Sequence, residues 1–410
     1  MNNPVITGMG VISAIGLNPE DFWQNLLRGT RVVTVAPWPA AETGSRARPL
    51  WYSPVPPQFR ATDWAIPAKM VKNSARFAQY ALAAVRQAVA QAGLSSLPAL
   101  RTAVIVGTSM GGVPELLQAG QEGETASAVP ARLMATVIPN MASAQIAMLY
   151  GLHGPQLTLS TACASALDAI GLAARLIQSG AVDIAVAGGA EHLLDPVVGY
   201  SLSNAHALSQ AESAEEASRP FDVRRNGFVM GEGAAMIVLE SPEHARQRQA
   251  NPWGCLRGYA TVADGYHVTS PDPSGTWEAL AMTQALADAQ CGPDTVDAVI
   301  AHGTSTVVGD QAEIRALNQV FASRPVPVTS MKGHCGHAMG TSGALSVVAA
   351  LYAMRDGMLP PTLGTEQVDP AAAFDLITHG PRRVELATVQ VNAFGFGGQN
   401  ASLILGQSPA

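Results

Sequence analysis

A chain of 410 residues with 48% hydrophobic and 13% charged residues is long enough for two or three domain-sized units around a sizeable core, and it carries no low-complexity tract. Its formal net charge of -7 is spread along the sequence, which argues against nucleic acid as the main partner but leaves room for a local basic docking patch. Met1-Asn2-Asn3-Pro4 has no basic n-region and does not read as a signal peptide; Cys163, Cys255, Cys291 and Cys335 form no C-x-x-C pair, so a reducing cytoplasm is expected.

Apolar runs alternate with amphipathic segments throughout, the pattern of an α/β protein. Residues 34–57 are polar and Pro-rich and are expected as surface loop. Lys69, Lys72 and Arg76 follow at spacings of three and four, which would set them on one basic helical face. Residues 74–92 place Phe77, Ala81, Val85, Ala88 and Ala92 on one face of a helix, with Gly93 as its C-terminal cap. Residues 102–106 and 183–187 are short apolar runs ending in Gly, as fully buried strands do. The first leads into Gly107-Thr108-Ser109-Met110-Gly111, which satisfies the G-x-S-x-G pattern of a serine-hydrolase nucleophile elbow.

Residues 156–160 form another apolar strand, which runs through Thr161-Ala162 to Cys163 and a helix beginning at Ala164. A thiol there meets unpaired backbone N–H groups and the positive end of the helix dipole. These favour thiolate, lower the thiol pKa and can hold an oxyanion.

Residues 211–220 and 362–370 read as surface loops and 241–253 as a short helix and connector. Strands at 296–301 and 326–330 each lead into a histidine motif, Ala301-His302-Gly303-Thr304-Ser305-Thr306 and Lys332-Gly333-His334-Cys335-Gly336-His337. Residues 333–354 contain no Asp, Glu, Lys or Arg and reach membrane-span length, but only 344–354 is strongly apolar, so a buried helix behind the site is expected. The His334-Cys335-Gly336-His337 cluster is not expected to bind metal, because adjacent ligands on a Gly turn do not converge and no second cluster completes four-coordination. Asn392-Ala393-Phe394-Gly395-Phe396-Gly397-Gly398-Gln399-Asn400 is a Gly-rich turn with only twelve residues after Gly398, too few for a dinucleotide-binding unit. One Cys, two His in Gly-flanked turns and a Gly-rich turn are the parts of an acyl-transfer site whose neutral imidazoles donate hydrogen bonds to a carbonyl.

In this order, from Val5-Ile6-Thr7-Gly8-Met9-Gly10 to Leu403-Ile404-Leu405, the segments resemble the β-ketoacyl-acyl carrier protein synthases, the ketosynthases of the thiolase superfamily. The resemblance covers nearly the whole chain. It implies a thiolase-like five-layer α-β-α-β-α sandwich of two similar halves, residues 1–250 carrying the nucleophile and 251–410 the histidines and the Gly-rich turn. No internal repeat is visible by inspection.

The resemblance also implies the chemistry: a decarboxylative Claisen condensation of a Cys163-bound acyl group with malonyl-acyl carrier protein, elongating a fatty acid or polyketide. His302 and His337 would donate to the malonyl thioester oxygen. Lys332, paired with Glu313, would position the His337 loop. The N–H groups of Cys163 and Phe396 would form the oxyanion hole, with Phe396 also gating the nucleophile. Thr304, Thr306 and Phe394 would bind substrate, Met110 would wall the acyl pocket, and Lys69, Lys72 and Arg76 would dock the acyl carrier protein. No cofactor or metal is implied, since substrates arrive on the carrier's phosphopantetheine. A homodimer is implied, or a heterodimer with a chain-length factor.

Gly333 and Cys335 stand where the family has Ser and Thr, Asn226 where Asp is common, His206 for a frequent Arg and Gln399 for Thr. These departures point to a divergent member, of a secondary-metabolite pathway rather than housekeeping fatty-acid synthesis. A serine hydrolase using Ser109 would leave Cys163, His302, Lys332, His337 and Phe396 unexplained. A thiolase would need a second C-terminal Cys, and a chain-length factor would lack the nucleophile.

Overall fold

The computed structural model describes residues 3–38, 41–43, 46–123, 125 and 127–408; Met1 and Asn2, part of the N-terminal reading, and 39, 40, 44 and 45 of the expected loop lie outside them. Five strands of the first half, β1 (Val5–Ile12), β2 (Thr102–Gly107), β3 (Gln156–Leu159), β4 (Ile184–Glu191) and β5 (Gly233–Glu240), hydrogen-bond in the order β3-β2-β4-β5-β1. Five more, β6 (Gly254–Ala263), β7 (Ala298–Ile300), β8 (Pro327–Thr329), β9 (Thr388–Gly395) and β10 (Gln399–Gly406), follow the order β8-β7-β9-β10-β6. The two orders are the same topology. In each half the first strand runs antiparallel to the fifth and the fifth to the fourth, while the fourth, second and third are parallel. The halves join where β1 meets β6, at Val5 opposite Cys255 and Ile6 opposite Gly254.

The duplication extends to backbone detail. β1 bulges between Ile6 and Gly8, and β6 between Leu256 and Gly258. At both glycines a helix lies so close that a Cβ would sit 2.0 Å from the Ala88 carbonyl oxygen in one case and 2.2 Å from that of Ala285 in the other. Those helices are α1 (Arg76–Gln91) and α3 (Thr276–Asp288), which cover the outer faces of the two halves of one continuous eleven-stranded sheet. Between these half-sheets, α2 (Ser165–Gln178) packs on α5 (Ser342–Asp356); α4 (Val307–Val320) lies beside α3. The result is the expected five-layer, thiolase-like α-β-α-β-α sandwich. The repeat escapes inspection because it resides in strand order and close-packing glycines rather than in matching residues.

The helical face expected in 74–92 is buried as Phe77, Ala81, Val85, Ala88 and Ala92, and Gly93, at φ 67°, ends the helix. α5 is buried over Ser342–Met354, which accounts for its all-round apolarity; no helix among the described residues is long and apolar enough to cross a membrane. The loop expected at 34–57 is only partly loop: Trp51–Ser53 pairs with Thr34–Val35 and Met230–Gly231, and Leu50, Trp51, Tyr52 and Val55 are buried. Pro and polar content concealed this apolar cluster. Likewise Ala217, Ser218 and Arg219 of 211–220 and Thr362 of 362–370 are buried.

Candidate active site

Cys163 follows β3 at a sharp turn. Ala162 adopts φ 49°, a strained value for a residue with a side chain, and Ala162–Ala164 form a 3₁₀ turn before α2. Ser165 holds the turn by donating from Oγ to the Ala162 carbonyl (2.6 Å) and accepting from the Thr161 N–H (2.9 Å). The second half repeats this turn: Met339 has φ 41° and Met339–Thr341 form a 3₁₀ turn before α5, so Gly340 occupies the place equivalent to Cys163.

The sequence had placed Cys163 where a helix dipole would lower its pKa. Burial outweighs that effect: Cys163 is 3% exposed and its thiol is pushed up to about 11, against the opposing pull of the Lys332 charge and the N–H groups of Phe396 and Cys163. Those two N–H groups are the expected oxyanion donors. Gly395 lets the turns approach, since a Cβ there would lie 2.9 Å from the Cys163 nitrogen.

His337 Nε2 lies 3.0 Å from Cys163 Sγ, and the His302 and His337 rings meet edge to face at 5.2 Å between centroids. Burial first, and then Lys332, hold both imidazoles well below the usual histidine range, so both are neutral at physiological pH. Behind His302, Lys332 Nζ lies 3.4 Å from Nδ1 and donates to the His302 carbonyl oxygen. Behind His337, Ser342 Oγ lies 2.9 Å from Nδ1. Phe228 packs edge-on against His337 at 5.2 Å.

Glu313 was expected to pair directly with Lys332. Its carboxylate instead accepts the N–H groups of His302 (2.8 Å) and Gly303 (2.6 Å), and acts on Lys332 through its charge. Two unpaired amides at the start of a turn are better acceptors' partners than a lysine already committed to a carbonyl, so the two residues clamp the His302 turn from opposite sides. Burial lowers the Lys332 pKa and Glu313 counters it.

A cavity of about 210 Å³ opens beside Cys163, lined by His302, Thr304, Thr306, His337, Phe394 and Phe396 among others. Thr306 also caps α4, and its hydroxyl lies 2.9 Å from that of Thr304. Met110 lies off this lining; half-buried, it packs in the apolar cluster that includes Cys163, Leu202, Phe228 and Met339. Ser109 Oγ donates to the Ala162 carbonyl (3.1 Å), a structural bond to the Cys163 turn rather than a nucleophile's arrangement.

Sequence reasoning missed Glu191 and Ser342. Glu191, fully buried, accepts from Thr108 Oγ1 and from the N–H groups of Ser109, Met110 and Gly340, tying the Ser109 loop to the repeated turn. A lone carboxylate ending the apolar run 184–191 was its signal. Ser342 gave none.

One other expectation changes. Arg76 is not on the face with Lys69 and Lys72, because the short helix Ala68–Lys72 ends before α1 begins; its guanidinium stacks over Phe59 (4.8 Å) and Tyr80 (5.0 Å). His334 is structural, its ring nitrogens facing the carbonyls of Thr30 (3.0 Å) and Pro361 (2.7 Å). Among the described residues, Cys163 Sγ and one ring nitrogen each of His302 and His337 lie within 4.8 Å of one another.

A buried thiol with two neutral imidazoles and two backbone donors is the apparatus of a condensing enzyme, and comparison with known proteins agrees. Residues 2–245 match the family described as "Beta-ketoacyl synthase, N-terminal domain" and 253–366 the corresponding C-terminal domain. The chain belongs to the β-ketoacyl synthase family. The 3-oxoacyl-[acyl-carrier-protein] synthase 2 of Coxiella burnetii is 35% identical over 415 residues, covering 98% of this chain and 97% of its own. Among solved structures, the ishigamide ketosynthase/chain length factor is 30% identical with a TM-score of 0.90 and complete coverage of both chains. A type II polyketide synthase acyl-carrier protein in complex with its ketosynthase bound to the hexaketide is 28% identical, with a TM-score of 0.88, covering 99% of this chain and 100% of that one. This β-ketoacyl synthase is therefore an acyl-transferring condensing enzyme.

Proposed function

We propose that Cys163 accepts an acyl group from a carrier-protein thioester and condenses it with malonyl-acyl carrier protein, elongating a fatty acid or polyketide chain. The observation that supports this most directly is the 3.0 Å approach of His337 Nε2 to Cys163 Sγ, with His302 beside it on one cavity wall. Acylation breaks the donor's thioester bond and forms the Cys163 thioester; the thiol proton leaves through His337 Nε2 to the departing carrier thiolate. The N–H groups of Cys163 and Phe396 receive the tetrahedral oxyanion.

Malonyl thioester then binds with its carbonyl oxygen against the two imidazoles. The carbon–carboxylate bond breaks, carbon dioxide departs, and the electron pair becomes an enolate held by the two Nε2–H donors, each such donor typically contributing about 3 to 4 kcal/mol. Neutral imidazoles suit the task, for they donate without quenching the enolate by protonation. The enolate carbon attacks the Cys163 thioester carbonyl, and collapse of that intermediate expels the thiolate.

Domains 1–250 and 251–410 would supply nucleophile and donors respectively, with no cofactor beyond the carrier's phosphopantetheine and with a cytoplasmic location. A dimer is supported by β3, an exposed edge strand, and by exposed Met134, Ile138, Met148 and Leu157 nearby in sequence. Likeness to the ishigamide ketosynthase/chain length factor supports a second reading, the catalytic half of a heterodimer with a chain-length factor in a secondary-metabolite pathway. Copurification from the native source separates the two.

The decisive experiment is single-turnover acylation of Cys163 followed separately from carbon dioxide release. Cys163→Ala should abolish acylation, whereas His302→Ala and His337→Ala should impair decarboxylation more than acylation. Decarboxylation at the parent rate in either histidine variant would remove that residue from the enolate site.

A further inference from the structure

The condensation leaves one buried acid on the cavity wall without a task. Glu278 is 2% exposed, stands in the first turn of α3 and lines the cavity that holds Cys163, Thr304 and Thr306. Its Oε2 has no hydrogen-bond partner. An acid at this helical position commonly reaches back to the N-cap amide, but the Gly275 N–H already donates to the Asp272 carbonyl (3.1 Å).

The surrounding carboxylates are all provided for. Asp264 accepts from Asn400 Nδ2 and the Asp272 N–H, and Asp272 from Trp277 Nε1 and the Ser274 N–H. Asp310 accepts the N–H groups of Phe221, Thr304 and Ser305, and Glu313 those of His302 and Gly303. None of these donors reaches Glu278 Oε2, which has no hydrogen-bond partner among the described residues. Burial first, then the charges of Glu313, Asp264, Asp310 and Asp272, hold its carboxyl well above the usual range, which favours the protonated form. A neutral carboxyl in a cavity wall is a hydrogen-bond donor, and an unpaired buried polar group is one that a ligand can satisfy.

We propose that Glu278 is a substrate-contacting residue whose carboxyl donates to an amide carbonyl of the pantetheine arm as it enters along the Thr304–Thr306 wall. This rests on the ketosynthase reading. The acyl chain can offer the same carbonyl chemistry when it bears a keto group, and the arm is favoured because Glu278 shares its wall with Thr304, Thr306 and Thr269.

The test compares acylation of Cys163 by acyl-pantetheine, by the matching S-ethyl thioester, which lacks the amides, and by a 3-ketoacyl S-ethyl thioester. Glu278→Ala should raise KM for acyl-pantetheine about tenfold, the loss of one well-made hydrogen bond, and change the S-ethyl substrates by less than about twofold. Glu278→Gln, which keeps a donor, should restore acyl-pantetheine to near the parent value. Equal loss on all three substrates, no loss on any, or a loss confined to the 3-ketoacyl substrate would overturn the assignment. Since Glu278 Oε2 bonds to nothing in the protein, the thermal midpoint of Glu278→Ala should not fall, and a fall would also count against it. Failure of the parent protein to take any acyl group from acyl-pantetheine would instead overturn the ketosynthase reading itself.

Discussion

Ser342 Oγ faces His337 Nδ1 at 2.9 Å, on the side of the imidazole opposite Cys163. A hydroxyl both donates and accepts, so this partner serves either tautomer of His337. With Nδ1–H donating to Ser342, Nε2 is free to take the thiol proton. With Ser342 donating to Nδ1, Nε2–H is presented to a thioester oxygen. His302 has no such latitude, for the Lys332 ammonium behind its Nδ1 can only donate and keeps the proton on Nε2.

Ser342→Ala should therefore lower both acylation and decarboxylation, each by about tenfold if one net hydrogen bond to the ring is lost, whereas Lys332→Ala should lower decarboxylation through His302 and slow acylation by raising the Cys163 pKa. Ser342→Thr should restore both rates. Single-turnover measurements of the two steps, with their pH profiles, separate this from a packing defect, which would shift neither profile. Unchanged rates in Ser342→Ala would show that another group orients His337.

The thiol of Cys163 should titrate late. Because burial raises its pKa to about 11, the thiolate fraction at neutral pH is small and grows as pH rises toward that value. Alkylation by iodoacetamide should accelerate roughly tenfold per pH unit between about 7 and 10. Lys332→Ala removes a charge that lowers the thiol pKa, so the curve should move to higher pH. Peptide mapping across the series checks both; a plateau below pH 8 would mean that the turn dipole, not burial, controls the thiol.

How far the site was legible follows from where its determinants lie. Cys163 and His302 could be read because each follows a strand, and His302, His337 and the Gly395 turn because each is flanked by glycine, patterns local in sequence. The thiol's pKa could not, since burial is the sum of α2, α5 and the opposing sheet. Arg76 was misplaced because spacing assumes one continuous helix, and the break at Asn73–Ser74 redirects it onto Phe59 and Tyr80. The halves repeat their topology almost residue for residue at Gly8 and Gly258, yet nothing in periodicity links two glycines so far apart. Ser342 acts through a contact made only after folding, and Glu278 meets the cavity only once α3 is packed.

Zinc should inhibit this enzyme. Cys163 Sγ and the ring nitrogens of His302 and His337 lie within 4.8 Å of one another, and a thiolate with two imidazoles is a favourable donor set for zinc. Bound metal would hold Cys163 as thiolate and occupy both enolate donors. Micromolar zinc should abolish acylation reversibly, pre-acylated enzyme should resist it, and a chelator should restore activity while leaving untreated enzyme unaffected. Loss of activity on chelator treatment alone would refute this.

Carrier docking should depend on Lys69 and Lys72 but not on Arg76. Both lysines are exposed on the short helix Ala68–Lys72, and Arg132, also exposed, reaches the end of that helix through a 3.1 Å hydrogen bond to Asn73 Oδ1. These three cations form a candidate surface for an acidic partner, one that attracts at a distance and is weakened by salt. Lys69→Glu with Lys72→Glu should raise KM for the acyl carrier protein several-fold at low ionic strength and flatten its salt dependence, leaving kcat and the reaction with acyl-pantetheine unchanged; Arg132→Glu should act in the same direction. Arg76→Ala should behave differently. Its guanidinium stacks on Phe59 and Tyr80 and bonds the Tyr80 hydroxyl at 3.0 Å, so its removal should cost about 1 kcal/mol of stability and leave the salt dependence of KM intact. Steady-state kinetics across a salt series, with thermal melts of each variant, test the division. A salt-independent KM in the parent would discard the patch, and a flattened salt response in Arg76→Ala would return that residue to it.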